Sequence, residues 1–202
     1  MAYSTSSVAR ATEVLSRAFQ SDPFFDYLLP RPEVRSAVLP ALFDMVAGYS
    51  AAHGELDLAA DGWGVACWLR PGHTLPTAGR LLCLGLPRWR LWQSLAKLGI
   101  GGARRLSALA AYADRQHRRN MPEADWYLWA LGVEPARQRQ GVGASLLRMG
   151  LARADADRKP CYLETNTALN VLFYQKHGFR VVNHGQPAGY RLTFWAMRRE
   201  PQ

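Results

Sequence analysis

The segment from Trp126 to Leu147, WYLWALGVEPARQRQGVGASLL, leaves few ways to fold. Its first eight residues are rich in aromatic and branched side chains with no internal polar partner, and the run stops at Pro135, which suits a central strand covered on both faces. Three side-chain hydrogen-bond formers, Gln138, Arg139 and Gln140, then precede Gly141-x-Gly143 where strand hands over to helix. A plain connection needs a turn and a cap, not a row of donors followed by two glycines. The first N–H groups of a helix lack internal acceptors, and the macrodipole places partial positive charge there. Gly141 and Gly143 let the backbone approach a ligand and take conformations other residues resist. Gln138 and Arg139 can add donors, and the whole forms an anion site best suited to phosphate or pyrophosphate. The plainer reading is a surface turn with polar residues, and Gly-x-Gly alone does not displace it. Two phosphate motifs are absent: GVGASL lacks the Gly-Lys-Ser/Thr of a P-loop, and Leu146 stands where the dinucleotide fingerprint needs a small residue.

The flanking sequence reads as an alternation of helices and strands. SVARATEVLSRAF places Val8, Ala11, Leu15 and Phe19 on one helical face. Asp22 and Pro23 supply a cap and first position for a short second helix, and PEVRSAVLPALFDMVAGY gives a third, bounded by Gly48 and Gly54. ELDLAA and GWGVACWLR, joined through Asp61-Gly62, predict a hairpin. Between Thr74 and Asn120 two helices are expected, one with Leu91, Leu95 and Leu98 inward and one with Leu106, Leu109 and Ala113, broken apart at Gly99, Gly101 and Gly102. After the glycine loop, Val142, Leu146, Leu147, Leu151 and Ala154 line a helix. PCYLET predicts a buried strand, ALNVLFYQKHG a helix ended by Gly178, and FRVVNH and GYRLTFWAMRR the last strands.

With 202 residues, 49% of them hydrophobic and 20% charged, the chain is expected to form one domain, 1–202, with ample core. The net charge of +9, nearly all from arginine, calls for an acidic partner: nucleic acid, anionic lipid, or a phosphorylated cofactor or substrate. Cys67, Cys83 and Cys161 read as reduced core thiols, and the histidines have no metal-ligand spacing, so no metal is expected. MAYSTSSVARATEV has no apolar signal region and no run reaches membrane-spanning length, which points to a cytoplasmic protein.

The pattern Gln138-x-x-Gly141-x-Gly143, an apolar helix, a buried strand and then NVLFYQKHGF resembles the acetyl-CoA motif of the GNAT N-acetyltransferase superfamily, from Trp126 to Phe179. AFQSDPFFDYLLP, GWGVACWLRPG and FWAMRREP are similar to the branch containing puromycin N-acetyltransferase. The resemblance implies an α/β (α+β) GNAT fold: a mixed sheet of six or seven strands, helices on both faces, and a parallel pair, WYLWALGV and CYLET, that splays at its carboxyl ends. Family members usually open with a strand before the first helix, and only MAYSTSS precedes it here. The implied activity is direct transfer of acetyl from acetyl-CoA to the amine of a small molecule, with the cofactor core at 126–182 and acceptor-side elements mainly at 20–50 and 74–120. A homodimer is compatible with the family.

Residue by residue, the resemblance implies that Leu131, Gly132 and Val133 hold the pantetheine by backbone groups, with the thioester oxygen on an N–H there. Gln138, Arg139, Gln140, Gly141, Val142, Gly143, Ala144 and Ser145 would take the pyrophosphate. Tyr174 matches the tyrosine that protonates the departing thiolate; on residue type alone a core aromatic is the commoner reading. Asn170, one turn earlier, either bonds the cofactor or starts the helix. Glu164 lies mid-strand in an apolar run, where an unpaired carboxylate is costly. It is a base or anchor for the amine, or else the partner of a buried arginine. Relatives often carry a histidine immediately before the WYL strand, where this chain has Asp125.

Other classes stay open. Arg88/Arg90, Arg104/Arg105 and Arg115/Arg118/Arg119, interleaved with Trp89 and Trp92, allow a nucleic-acid-binding module, although solvated helix faces explain the charges. PRWRLWQSLAKLGIGG allows an interfacial membrane helix. A silent CoA-binding regulator would keep the fold without the chemistry. Phe24, Phe25, Tyr27, Trp68 and Trp92 suggest a pocket for a partly apolar amine, or simply core packing.

Overall fold

The structure is a computed structural model and describes residues 4–74, 99–121, 125–187 and 189–202. Helix α1 (Thr5–Ala18) starts where the Ser4 hydroxyl accepts from the Ser7 N–H, and it buries Ala11, Val14 and Leu15. Asp22 caps α2 (Pro23–Leu28) by accepting from the Phe24 and Phe25 N–H groups, with Pro23 in the first turn, as the sequence predicts. Helix α3 (Pro32–His53) runs through Gly48 and stops at Gly54. Strands β1 (Gly54–Leu58) and β2 (Gly64–Leu69) form the expected antiparallel hairpin. Its turn uses Gly62 at φ +73°, and the Asp61 carboxylate accepts from the Trp63 N–H.

Helix α4 spans Gly99–Asn120. It begins at Gly99, which holds φ +61°, and Gly101 and Gly102 lie in its first turn, where Gly102 is buried; the helix expected before them lies outside the described residues. The stripe predicted at Leu91, Leu95 and Leu98 lies outside the described residues, as do Cys83, Trp89 and Trp92. Strand β3 (Trp126–Val133), a 3-10 turn (Pro135–Arg137), helix α5 (Val142–Ala156), strand β4 (Cys161–Thr165), helix α6 (Ala168–Gln175) and strand β5 (Arg180–Gly185) follow in the predicted order. Strand β6 (Phe194–Arg199) begins four residues later than the alternation from Tyr190 suggests. Leu192 is nonetheless buried beside Phe194.

Six strands pair in the order β1-β2-β3-β4-β6-β5, with β3 and β4 parallel and every other pair antiparallel. Among the described residues α1 is the first element, and no strand precedes it. Helices α1 to α4 cover one face, burying Val65, Cys67, Leu109 and Ala130; α5 and α6 cover the other, over Ala66, Trp68, Trp126, Leu128, Cys161 and Met197. This mixed sheet with helices on both faces is the GNAT fold. Helix α5 lies close because Gly150 offers no side chain: a Cβ there would come within 2.1 Å of the buried Trp68 indole. Both described cysteines are free and buried, and burial pushes the Cys67 and Cys161 thiols up to about 12.

One irregularity shapes everything that follows. Cys67 pairs with Ala130 but Trp68 pairs with Leu128, so Trp129 is an extra residue in β3. Before it, Trp126 and Leu128 face α5; after it, Ala130 faces the α1–α3 layer and Leu131 faces α5. The parallel ladder to β4 also ends at this point, with Leu128 opposite Leu163 as its last pair.

Candidate functional site

Because β3 leaves β4 beyond Leu128, a cleft of about 300 Å³ opens between the carboxyl ends of the two strands. From β3 it is lined by residues 127–131, from β4 and its exit by Glu164, Thr165 and Asn166, and from α6 by Asn170 and Tyr174. The α1–α3 layer adds Phe19, Asp22, Phe24, Phe25 and Phe43, and β6 adds Phe194. Of the aromatics singled out from the sequence, Phe24 and Phe25 line the cleft. Trp68 lies instead beneath α5, and Tyr27 packs on Tyr190 at 6.0 Å.

Backbone direction along β3 follows from one bond. The Glu134 N–H donates to Trp63 O at 2.9 Å, and Gly64 is opposite Val133. Antiparallel ladders alternate bonded and non-bonded pairs. Gly132 is therefore tied to Val65, while the amides of Leu131 and Val133 turn away from β2 toward the gap left by β4. Gly132 has a separate packing role, since a Cβ there would lie 2.8 Å from Leu15 and 3.1 Å from Ala18 of α1.

The loop after β3 is exposed from Pro135 to Gly141. Arg139 holds φ +62°, a left-handed conformation that a non-glycine residue adopts only with strain. Gly141 caps α5 at φ +86° and gives it no side-chain cap. The first intrahelical bond runs from the Ser145 N–H to Gly141 O, which leaves the N–H groups of Val142, Gly143 and Ala144 ahead of it. A Cβ on Gly141 would meet nothing, so glycine serves the backbone angle there. On Gly143 it would meet Val133 at an ordinary 3.5 Å. The Gln138 amide donates back to Val133 O at 3.1 Å, and the Gln140 amide to Ala136 O at 3.2 Å. Both side chains brace the loop, whose exposed cations are Arg137, with its guanidinium over the Trp63 ring at 5.9 Å, and Arg139.

Tyr174 is 8% exposed, and burial pushes its phenol above the ordinary value. Asn170 does two things at once: its N–H donates to the Thr167 hydroxyl at the start of α6, and its amide donates to the Thr165 hydroxyl at 3.1 Å. Among the described residues, no arginine is bonded to Glu164. Its carboxylate accepts from the Tyr127 hydroxyl at 3.0 Å and the Tyr162 hydroxyl at 2.9 Å, with His117 Nδ1 3.6 Å away. Burial, and then the Glu164 charge, push both phenols up, so they stay O–H donors. The His117 ring stands edge-on to Tyr127 and Tyr162 at 4.7 Å and 5.6 Å.

This Tyr-Tyr-His setting of Glu164 escaped sequence reasoning. A usable signal was present: His117 continues the buried stripe of Leu109 and Ala113 at helical spacing, so it had to face inward. Asp125 is clamped by Arg198, which donates at 2.6 Å and 3.3 Å and joins the start of β3 to β6. Arg104, Arg115, Arg118 and Arg119 lie exposed on α4. Among the described residues, no group of three potential metal ligands lies together and no helix is long and apolar enough to cross a membrane.

Residues 101–181 match the model of the acetyltransferase (GNAT) domain. The full chain aligns with 95% of a histone acetyltransferase HPA2 and related acetyltransferase from Corynebacterium glutamicum ATCC 13032, at TM-score 0.66 and 23% identity. A GNAT-family protein from Desulfovibrio desulfuricans is 18% identical over 94% of this chain and 91% of its own, at TM-score 0.49. A GNAT acetyltransferase from Elizabethkingia anophelis with acetyl-CoA bound is 18% identical over 38% of this chain and 60% of its own, at TM-score 0.34. At 23% identity the likeness to the Corynebacterium glutamicum protein is one of fold. The matched segment contains the glycine loop, Glu164 and Tyr174, whereas the aromatic wall from α1–α3 and Phe194 lies outside it.

Proposed function

We propose that the chain is a GNAT-type N-acetyltransferase that moves an acetyl group from acetyl-CoA to the amine of a small molecule, in the branch similar to puromycin N-acetyltransferase. The observation that carries this reading is the parting of β3 from β4 at Leu128, with Tyr174, Glu164 and unpaired strand amides all facing the gap.

The cofactor fits the residues present. The N–H groups of Val142, Gly143 and Ala144, with Arg139 beside them, suit a diphosphate at the start of a fifteen-residue helix. Gln138, Gln140, Gly141 and Ser145 shape and flank that turn. Leu131 and Val133 offer the pantetheine a strand edge, and Gly132 lets α1 pack behind it. Asn170 joins the same wall. Acetyl-CoA supplies an activated acetyl group as a thioester.

The Leu131 N–H, on the wall of the cleft, is suited to hold the carbonyl oxygen and to stabilise the negative charge that develops there. Glu164, held by two O–H donors, keeps lone pairs free toward the cleft, orients the ammonium and accepts its proton. Tyr174 stays protonated across neutral pH and can donate to the departing sulfur. The desolvation that weakens it as an acid also raises the proton affinity of a thiolate in the same cleft. In balance, a C–N bond forms and a C–S bond breaks. The ammonium loses two protons, one ending on sulfur and one leaving to solvent.

Two variants test the reading. Gly143→Ala meets only ordinary contacts in the protein, so it should fold as well as the parent and lose roughly tenfold or more in acetyl-CoA affinity by calorimetry. Tyr174→Phe should lower kcat by about 100-fold with acetyl-CoA Kd within a factor of two. Unchanged affinity in the first variant removes the loop assignment; unchanged kcat in the second removes Tyr174 from the chemistry.

A further inference from the structure

The walls of the cleft are more selective than general acetyl transfer requires. Phe19, Phe24, Phe25, Phe43, Trp129 and Phe194 contribute six rings, several already packed edge to face: Phe24 on Phe194 at 6.0 Å and 83°, and Phe19 on Phe25 at 5.8 Å and 83°. Such an arrangement offers ring faces and edges to a further ring. Among the described residues, the charged groups that line the cleft are Asp22 and Glu164, both acids, with no lysine or arginine beside them. Asp22 spends one oxygen, Oδ1, on the two N–H groups at the start of α2. Glu164 is held at the other wall by O–H donors and faces the cavity. At about 300 Å³ the space stands at the small end of ligand sites, which run from about 300 to 1,000 Å³.

We infer that the acceptor is an arylalkylamine: one ammonium group on a short carbon chain bearing an aromatic ring, with no carboxylate, phosphate or further cation. The inference rests on the acetyl-transfer reading and narrows its acceptor. Glu164 takes the ammonium, and the ring lies among Phe24, Phe194 and Trp129. An amino acid would bring its carboxylate against two acids, with no cation among the described lining residues to answer it. A polyamine would put further charges against apolar walls, where an unpaired charge is heavily penalised. The new bond joins the amine nitrogen to the acetyl carbon as the bond to sulfur breaks, with the proton balance given above.

The test compares four amines by thiol release from acetyl-CoA: 2-phenylethylamine, propylamine, phenylalanine and spermidine. The expected kcat/KM for 2-phenylethylamine exceeds each of the others by about tenfold or more, the scale of burying one ring. Phe24→Ala, at a half-buried position, should cut the ratio of 2-phenylethylamine to propylamine by about tenfold with acetyl-CoA Kd unchanged. If that variant does not fold, the parent's ratios decide alone. Spermidine or phenylalanine used as well as 2-phenylethylamine overturns the inference, as does a folded Phe24→Ala with its preference intact. Bound acetyl-CoA with turnover of a ringless amine alone defeats the arylalkylamine assignment and leaves acetyl transfer standing. No acetyl-CoA binding by calorimetry defeats both.

Discussion

At Arg139 backbone and side chain pull in opposite directions. Its φ of +62° costs a non-glycine residue about 1–2 kcal/mol, while on the proposed reading its guanidinium serves the diphosphate. Arg139→Gly relieves the angle but adds chain entropy to the unfolded state. The expected result is stability level with the parent or up to about 1 kcal/mol above it, with acetyl-CoA affinity several-fold lower. A variant that loses stability and keeps its affinity would show the residue to be structural. Gln138 and Gln140, as prominent in the sequence, turn their amides back on the loop, which no local pattern reveals. Glu164 was legible as a costly buried carboxylate but its partners were not, because Tyr127, Tyr162 and His117 come from three different elements.

At the scale of elements, the hairpin, the two parallel strands and α5 were all readable, since alternation, turn chemistry and helical spacing each carry a period. The extra residue in β3 was not. In a run apolar on both faces, no polar residue marks which side is which, so the change of parity at Trp129 leaves no trace in the sequence. Helix α5 depends on a glycine that seemed unremarkable. Gly150→Ala would drive a methyl to within 2.3 Å of three indole atoms of Trp68, a fully buried side chain that cannot step aside. The expected cost is about 3 kcal/mol or more, read as a lower urea midpoint, with weaker acetyl-CoA binding as the start of α5 shifts. A stability loss below about 0.5 kcal/mol would mean that helix and sheet part more easily than the packing implies.

Across the whole molecule, ion pairs fasten the layers at points the core does not reach. Arg153 of α5 pairs with Asp57 of β1, Arg198 of β6 with Asp125, and Arg199 of β6 with Asp155 at the end of α5. Hydrogen bonds from Arg199 hold the Asp155 carboxyl below its usual range. A lowered folded value means stability that is present above the unfolded pKa, about 3.9, and lost as pH falls through the folded one. Asp22 has the opposite sign, since burial raises its pKa and its share of stability grows on acidification. Urea midpoints at pH 6 and pH 3 should therefore fall further for the parent than for Asp155→Asn. An equal fall in both would assign the acid sensitivity elsewhere.

The supernumerary Trp129 makes the cavity a property of strand length, not of any one side chain that lines it. The aromatic side chains that line it can therefore change one at a time without moving the point at which β3 parts from β4.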